Sequence, residues 1–143
     1  MGEVELLLDA SYIVSLLTLE PSSERATMFA QQHPDPAFAS DLTAAEYASA
    51  ISRRVRMREL TRPQAQFALA TFDDWATDKA RWVEVSASDI ALATIFLRRL
   101  NLPLRTADAI HIAMAQRLAA TLVTFDQRMA LAAQALGVVV AYI

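Results

Sequence analysis

The sequence predicts a single α/β domain over residues 1–143, with a central, mainly parallel twisted sheet of about four to five short strands flanked by helices. Short apolar runs, such as VELLL at 4–8 and TLVT at 121–124, are typical of strands buried on both faces of a parallel sheet. Segments with helical spacing of apolar residues separate these runs, as in sheets that helices cover on both sides. The length suits one domain with a sizeable core, and there is no internal repeat, linker or low-complexity tract.

The first half of the chain alternates between strands and helices. A strand over 4–8 ends at Asp9, and Ser11 is placed to cap a helix that ends before Pro21, because the residue before proline avoids helical geometry. A second helix starts at Ser22 or Ser23. We expect it to be followed by a loop over 33–36, a weak strand over 37–40 and a helix that Thr43 opens and that ends near Met57.

The second half begins with a helix that Thr61 caps, with Pro63 in its first turn, where proline is tolerated. We expect its apolar contacts to come from Phe67, Leu69, Phe72 and Trp75. Gly137 is placed to follow the last helix as its left-handed C-terminal residue. The remaining elements expected are a strand over 81–85, a helix from Ser86 or Ser88 to Asn101, a helix capped by Thr106, a strand over 121–124, a helix begun by Asp126, and a strand over 138–143.

The composition excludes several kinds of site. Only two glycines are present, so the glycine-rich phosphate loops of nucleotide-binding folds cannot be built. The absence of cysteine excludes disulfides, thiolate chemistry and Cys-based zinc sites, and two histidines are too few for a three-histidine metal site in one chain. Any chemistry therefore depends on carboxylates, hydroxyls and arginines.

Charge and hydropathy bear on the partners of the chain. The net charge is −3, and Lys79 is the sole lysine among the 13 basic residues. Arginine suits bidentate contact with phosphate, although genome base composition explains the same bias equally well. An apolar content of 55% indicates that a partner protein or a second copy covers part of the surface.

The N-terminal segment bears on localisation. It has Glu3 and Glu5 where a signal peptide would have positive charge. The apolar run over 6–19 is interrupted by Asp9 and is too short to span a bilayer. We therefore expect a cytoplasmic protein with no membrane attachment.

Four acidic residues occupy junctions between strands and helices. Asp9 and Asp126 follow predicted strands, whereas Glu46 and Asp108 lie in first turns of predicted helices. In an open parallel sheet, ligands bind in the crevice beyond the carboxyl ends of the strands, where such residues would meet. Four unpaired carboxylates would repel one another there, and one or two hard cations such as Mg²⁺ or Mn²⁺ would relieve that repulsion. Thr124 is placed to hydrogen-bond an adjacent carboxylate or a water.

Each acid also has a purely structural interpretation, as a helix cap or as a favourable charge at a helix N-terminus. Glu46 has the strongest such alternative, because Thr43 and Glu46 have the spacing of a capping box. Asp9 has the weakest, because it follows three leucines expected to be buried, where an unpaired charge is unfavourable. His111, three residues after Asp108, is more often a packed or supporting residue than a ligand, and it is left out of the predicted site.

Four segments contain these acids: LLLDAS at 6–11, LTAAEYASAI at 42–51, RTADAIHIAMA at 105–115 and LVTFDQRMALAAQALGV at 122–138. In this order and at these separations they resemble the PIN-domain ribonucleases, specifically the VapC-type toxins of bacterial type II toxin–antitoxin systems. In that family the corresponding segments supply an opening strand with its aspartate and hydroxyl residue, a helix with a glutamate, the central aspartate, and the closing strand with the last acid.

The resemblance implies a metal-dependent endoribonuclease, often acting on tRNA or rRNA, with hydrolysis by metal-activated water. It implies one set of catalytic residues that bind Mg²⁺ or Mn²⁺, namely Asp9, Glu46, Asp108 and Asp126, supported by Ser11 and Thr124. It also implies a homodimer and a cognate antitoxin whose tail occupies the active-site groove.

Two alternatives remain open at this point. The chain could be a PIN nuclease in RNA processing that is not a toxin, or a non-catalytic protein-binding module whose acids serve as helix caps. The arginine-rich segment over 53–58 fits contact with RNA phosphates or with an antitoxin, and it equally fits a solvated helix face.

Overall fold

The structure is a computed structural model that describes residues 4–143; residues 1–3, and with them Glu3, lie outside the described residues. The described part of the chain contains five strands and seven helices, and the expected α/β architecture is confirmed. In chain order the elements are β1 (Leu6–Leu8), α1 (Ala10–Leu17), α2 (Ser23–Gln32), β2 (Ala37–Ser40), α3 (Asp41–Arg56), α4 (Arg62–Lys79), β3 (Ala80–Val83), α5 (Ala87–Leu97), α6 (Thr106–Leu118), β4 (Thr121–Thr124), α7 (Gln127–Ala135) and β5 (Val140–Tyr142).

All five strands are parallel and form one sheet in the order β3-β2-β1-β4-β5. β1 is central; it pairs with β4 over 6–8 and 121–123, and with β2 through Leu7 and Phe38. The chain therefore places β2 and β3 on one side of β1, and β4 and β5 on the other. In open parallel sheets, ligands bind beyond the carboxyl ends of the strands at the point of such a reversal.

Helices cover both faces of the sheet because its strands are apolar on both faces. Successive side chains of a strand point to opposite faces. In β1, Leu7 joins a core formed with α5, α6 and α7, whereas Leu6 and Leu8 join a core formed with α1 to α4. Side chains from the two helical layers can therefore meet only beyond the edge of the sheet.

The ends of several elements differ from the expected ones by one to four residues, because hydrogen bonds set them; the helix expected to reach Asn101 ends at Leu97. Ser40, and not Thr43, caps α3: its Oγ accepts a hydrogen bond from the Thr43 backbone N–H at 3.1 Å. Asp9, and not Ser11, caps α1. The strands β1, β3 and β5 are shorter than the apolar runs that predicted them, since only part of each run pairs with a neighbouring strand.

The expected capping of α4 is confirmed, but two of its predicted apolar contacts are wrong. Thr61 forms a capping box at the start of α4, with proline in the first turn. Phe67 and Leu69 are 76% and 37% exposed, while Ala65 and Phe72 are buried. The stripe of α4 that packs into the core recurs every three to four residues, and Phe67 and Leu69 lie off it. Its members are Ala65, Ala68, Phe72, Trp75 and Ala76. The expected role of Gly137 is confirmed by its φ of +83° directly after the end of α7.

α6 is the most enclosed of the three helices α5, α6 and α7, which cover one face of the sheet. Every residue from 109 to 115 is buried, so α6 is held on nearly its whole circumference. Nevertheless, within the described range no helix combines the length and the apolar character that crossing a membrane requires.

An ion pair fixes α5 against α6. Asp89 is buried and accepts hydrogen bonds from Arg117 Nε at 2.8 Å and Arg117 Nη2 at 2.9 Å, and from the Ser86 backbone N–H at 2.8 Å. Burial alone would raise the pKa of Asp89, but these hydrogen bonds outweigh it and hold the pKa below its usual range. The pair is therefore most stabilising when Asp89 is ionised.

We expect Arg117→Met to lower the free energy of unfolding at pH 7 by about 2–3 kcal/mol, because it leaves a buried carboxylate without its partner. The wild-type contribution is present above the unfolded pKa of about 3.9 and is lost as the pH falls through the lower folded pKa. Urea unfolding at neutral and acid pH should show that the difference in unfolding free energy between the wild type and Arg117→Met becomes smaller at acid pH. Arg128→Met, at an exposed position, is the control; an equal loss at both pH values would contradict the argument.

Candidate active site

Asp9 lies directly after the central strand β1 and is 2% exposed. Its Oδ1 accepts hydrogen bonds from Ser11 Oγ at 2.7 Å and from the Tyr12 backbone N–H at 2.9 Å, and its Oδ2 accepts one from Thr124 Oγ1 at 2.5 Å. Burial raises the pKa of Asp9, while the bonds from Thr124, Tyr12 and Ser11 oppose that rise. The carboxylate thus caps α1 and is also fixed against the end of β4.

The end of β4 is connected to Asp9 through Thr124. The Thr124 hydroxyl donates to Asp9 and accepts a hydrogen bond from the Asp126 backbone N–H at 2.9 Å. Ser11 Oγ accepts a hydrogen bond from the Phe125 backbone N–H at 3.0 Å. Ser11 and Thr124, the two hydroxyl residues predicted to support the site, therefore hold the ends of β1 and β4 together.

Asp126 follows β4 and caps α7. Its Oδ1 accepts hydrogen bonds from the backbone N–H groups of Arg128 at 2.9 Å and Met129 at 3.2 Å. The side chain is half-buried. Its second oxygen, Oδ2, makes no hydrogen bond within the described part of the chain.

Asp108 lies in the first turn of α6, which begins at Thr106 after Arg105, so the expected cap at Thr106 is wrong. Its Oδ2 accepts a hydrogen bond from the Arg105 backbone N–H at 3.2 Å. Burial raises the pKa of Asp108, and the nearby negative charges of Asp126 and Glu46 raise it further. Since α6 runs antiparallel to β4, its N-terminus lies at the carboxyl edge of the sheet, close to these two acids.

Glu46 lies in the second turn of α3 and is half-buried. The capping-box alternative is wrong, because the Thr43 backbone N–H donates to Ser40 and the Thr43 hydroxyl donates to the Leu8 carbonyl at 3.3 Å. Glu46 Oε1 instead contacts Nε2 of His111 on α6. This contact crosses from one helical layer to the other at the edge of the sheet.

The structure places Asp126 and Glu46 near Asp108, and it ties Asp9 to the same edge of the sheet through the Thr124 hydroxyl. Thr124 donates to the Asp9 carboxylate and accepts from the Asp126 backbone N–H, while the negative charges of Asp126 and Glu46 act on Asp108. Glu46 also contacts His111, one turn after Asp108 on α6. Each carboxylate is at present engaged with its own donors. Within residues 4–143, no group of three or more acidic or histidine side chains is already arranged to hold a metal ion.

The crevice also involves His111, which the sequence did not place in the site. His111 is wholly buried, lies one turn after Asp108 on α6, and contacts Glu46 through Nε2. Its position three residues after Asp108 was the available signal, because residues three apart lie on the same side of a helix. That spacing does not predict that His111 contacts Glu46 on α3.

A groove of about 470 Å³ leads away from Glu46 and Ser11, between α1, α2 and α3. Arg25 and Phe125 line it, with the Arg25 guanidinium carbon 5.2 Å from the centroid of the Phe125 ring. Arg25 is exposed and has no ion-pair partner within the described residues. The groove thus combines an aromatic ring and a free positive charge with one end at the acidic crevice.

Comparison with known proteins assigns a family. The sequence profile described as "PIN domain" matches residues 6–135, and this range contains all four acids. No curated protein sequence matches the chain.

Solved structures with a similar fold come from several bacteria. The sarcin-ricin loop cleaving toxin VapC20 of Mycobacterium tuberculosis has a TM-score of 0.75 and 18% identity, over 90% of this chain and 95% of that one. VapBC2 of Rickettsia felis, bound to a DNA fragment from its promoter, has a TM-score of 0.72 and 14% identity, over 98% and 99%. A toxin-antitoxin complex from Klebsiella pneumoniae has a TM-score of 0.59 and 17% identity, over 88% and 90%. At such identities, the likeness concerns the fold.

We expect Asp108→Asn to raise the thermal stability of the metal-free protein, by about 2–4 °C, the shift that a small change in unfolding free energy produces in a domain of this size. The substitution removes a charge that burial disfavours and that Asp126 and Glu46 repel. Because the pKa of Asp108 is raised in the folded protein, its ionised carboxylate destabilises the fold. This destabilisation is complete above the folded pKa and disappears as the pH falls towards the unfolded pKa of about 3.9.

Thermal unfolding in EDTA at neutral and acid pH measures this effect. Asp74→Asn, at an exposed position on α4, is the matched control. An Asp108→Asn protein that unfolds at the same temperature as the control would show that the Asp108 charge does not destabilise the metal-free protein.

Proposed function

The chain belongs to the PIN domain family, and from this premise we propose that it is a metal-dependent endoribonuclease that hydrolyses RNA phosphodiesters. The observation that supports the proposal is the placement of the four acids at the carboxyl edge of the sheet, after β1 and β4 and in the first two turns of α3 and α6, with Asp126 and Glu46 near Asp108. We assign the catalytic and metal-binding roles to Asp9, Glu46, Asp108 and Asp126, with Ser11 and Thr124 as supporting residues.

The donor set fits Mg²⁺ or Mn²⁺, in one or two copies. Carboxylate and hydroxyl oxygens are the ligands these hard cations prefer. Burial raises the pKa of Asp108, and the negative charges of Asp126 and Glu46 add to that rise; a divalent cation beside Asp108 would offset both effects. Magnesium keeps several waters in protein sites, so it needs direct contact with only one or two of the carboxylates.

The residues of the chain prepare the reaction by holding charge in a fixed place. When bound, the cation supplies the activation of a water for attack on phosphorus and the neutralisation of phosphate charge. Asp9 is kept in one orientation by Ser11, the Tyr12 backbone N–H and Thr124, and so does not have to reorganise. Asp126 keeps Oδ2 available while Oδ1 caps α7.

The groove beside Glu46 supports a nucleic-acid substrate. The exposed Arg25 guanidinium suits a phosphate group, and an arginine plane or the Phe125 ring suits stacking with an unpaired base. The ring of Phe125 is supported from below by Tyr12, with ring centroids 6.1 Å apart. We therefore propose single-stranded or looped RNA, such as parts of tRNA or rRNA, as the substrate class.

The arginine-rich segment over 53–58 contributes less than its charge suggests. Arg54 pairs with Glu20, while Arg53, Arg56 and Arg58 are exposed at the end of α3. That end is about 15 Å along the helix from Glu46, at a rise of 1.5 Å per residue. A solvated helix end, with positive charge favourable at the C-terminus, accounts for these residues.

The toxin role, with a cognate antitoxin as partner, is a further part of the proposal. Similar folds include proteins described as toxins or toxin-antitoxin complexes, which is support by fold analogy. We propose that the tail of the antitoxin occupies the groove beside Glu46, and an apolar groove of about 560 Å³ between β1, α1, α2 and α4 offers it a further surface to cover. We also propose a homodimer, because two apolar residues of α5, Ile90 and Ile95, are exposed and a second copy could cover them. The proposed RNA substrate implies a cytoplasmic protein.

A non-catalytic binding module is the second candidate, because Asp9 and Asp126 do cap helices. Titration of the folded protein with Mn²⁺ separates the two: a wild type that binds no divalent ion favours the binding module. A role in RNA processing in place of a toxin role is decided by the gene upstream, since a small antitoxin-like reading frame there favours the toxin.

We expect Asp108→Asn to lower the rate of RNA cleavage by on the order of 10²-fold or more, the loss typical when a group that acts in the chemical step is removed. EDTA should abolish cleavage by the wild type, and Mg²⁺ or Mn²⁺ should restore it. The assay uses a mixture of tRNA and rRNA, with Asp74→Asn as the control. Cleavage that survives EDTA or Asp108→Asn would refute the proposed chemistry.

We expect Arg25→Ala to raise KM for RNA by about 3–10-fold with little change in kcat, because the exposed guanidinium contacts a phosphate that does not react. Arg56→Ala, at the far end of α3, should leave KM unchanged. Steady-state cleavage of one labelled RNA measures both variants. Equal effects of the two substitutions would indicate general electrostatic attraction and not a subsite in the groove.

A further inference from the structure

His111 is a buried polar residue beside the proposed catalytic acids to which the proposed reaction gives no task. It lies on α6, one turn after Asp108, and its ring is wholly buried. Nε2 contacts Oε1 of Glu46 on α3, 65 residues away in the sequence. Nδ1 is the one side-chain nitrogen or oxygen within residues 4–143 that is buried without a hydrogen-bond partner.

These contacts determine which ring nitrogen has the proton. A carboxylate only accepts hydrogen bonds, so Nε2 of His111 must be the donor to Glu46. Nδ1 faces no acceptor in the described part of the chain, so a proton there would have no partner. The surroundings of His111 therefore fit the tautomer with the proton on Nε2 and a bare Nδ1.

Packing alone does not account for a histidine at this position. An unpaired buried nitrogen is unfavourable, and an apolar side chain of similar volume would fill the space without it. Buried polar atoms without partners are rare in native proteins, and a functional role is one of their explanations. What distinguishes histidine from such an apolar residue at position 111 is the N–H group directed at Glu46.

Glu46 has little else to hold it. It makes no capping bond to Thr43, and among the described residues no donor contacts its Oε2. Its side chain has three rotatable bonds and is 31% exposed. Without His111, this carboxylate would sample several positions at the mouth of the crevice.

We propose that His111 is a positioning residue whose Nε2–H holds Oε1 of Glu46, leaving Oε2 free to bind the divalent cation. This inference rests on the proposed function, because it concerns the same metal site. Hydrogen bonds from the second layer of residues orient the carboxylates that bind a metal, and their loss typically lowers metal affinity about 10–100-fold. The contact also ties α6, the helix of Asp108, to α3, the helix of Glu46.

Three substitutions separate positioning from packing. His111→Leu fills the space and removes the donor, and His111→Gln keeps an amide N–H near the position of Nε2. Met114→Leu changes an equally buried residue of α6 and controls for altered packing. Thermal unfolding in EDTA and calorimetric titration with Mn²⁺ are measured for each protein.

We expect His111→Leu to unfold at the wild-type temperature or above it, because it removes the unpaired nitrogen, and to bind Mn²⁺ about 10–100-fold more weakly. His111→Gln should restore the affinity to within about threefold, and Met114→Leu should bind as the wild type does. If His111→Leu binds Mn²⁺ as tightly as the wild type, or if His111→Gln is impaired equally, the positioning role is refuted. A wild type that binds no Mn²⁺ would refute the proposed function itself, which is a distinguishable result.

A second measurement does not depend on metal. The chain has two histidines, so ¹⁵N spectra of the imidazole rings contain two sets of signals, and His33→Gln assigns them. We expect His111 to show the Nε2–H tautomer and to change its ring shifts in Glu46→Ala. A proton on Nδ1, or ring shifts that do not respond to Glu46→Ala, would overturn the assignment even in a protein that folds normally.

Discussion

The buried carboxylate of Asp9 is the constraint around which the functional edge of the sheet is built. A carboxylate that is 2% exposed is unfavourable unless donors surround it, and here the donors come from both α1 and β4. Ser11 and the Tyr12 backbone N–H lie in the first turn of α1, and Thr124 is the last residue of β4. Satisfying one charge therefore fixes where the first helix starts and how the two central strands end beside it.

The other acids add charge to this edge, which opposes stability. Burial raises the pKa of Asp108, and the negative charges of Asp126 and Glu46 raise it further. Ionised Asp108 therefore destabilises the metal-free protein. The rest of the domain offsets that destabilisation with two apolar cores, one on each face of the sheet, and with the ion pair of Asp89 and Arg117. Such a local loss of stability at a site, compensated elsewhere, is common where a protein binds a charged ligand.

Helix capping and metal binding are compatible here, which is why the two interpretations of the acids did not exclude each other. A helix that starts at the carboxyl edge of a parallel sheet presents its free N–H groups where ligands bind. Asp9 and Asp126 satisfy these groups with one oxygen, Oδ1, while Oδ2 of each points to other partners or to none in the described residues. Glu46 differs, since its helix is capped by Ser40 and its oxygen meets His111.

The amino-acid sequence by itself determined the alternation of short apolar strands with helices and the four acids at their junctions, because burial on two faces and helix spacing are local patterns. It also placed Ser11 and Thr124 beside the acids. Only the tertiary structure decided that all five strands are parallel, that Ser40 displaces Thr43 as the cap of α3, and that His111 reaches Glu46. These features depend on contacts between segments far apart in the chain, and single-sequence spacing holds no information about which distant segments meet.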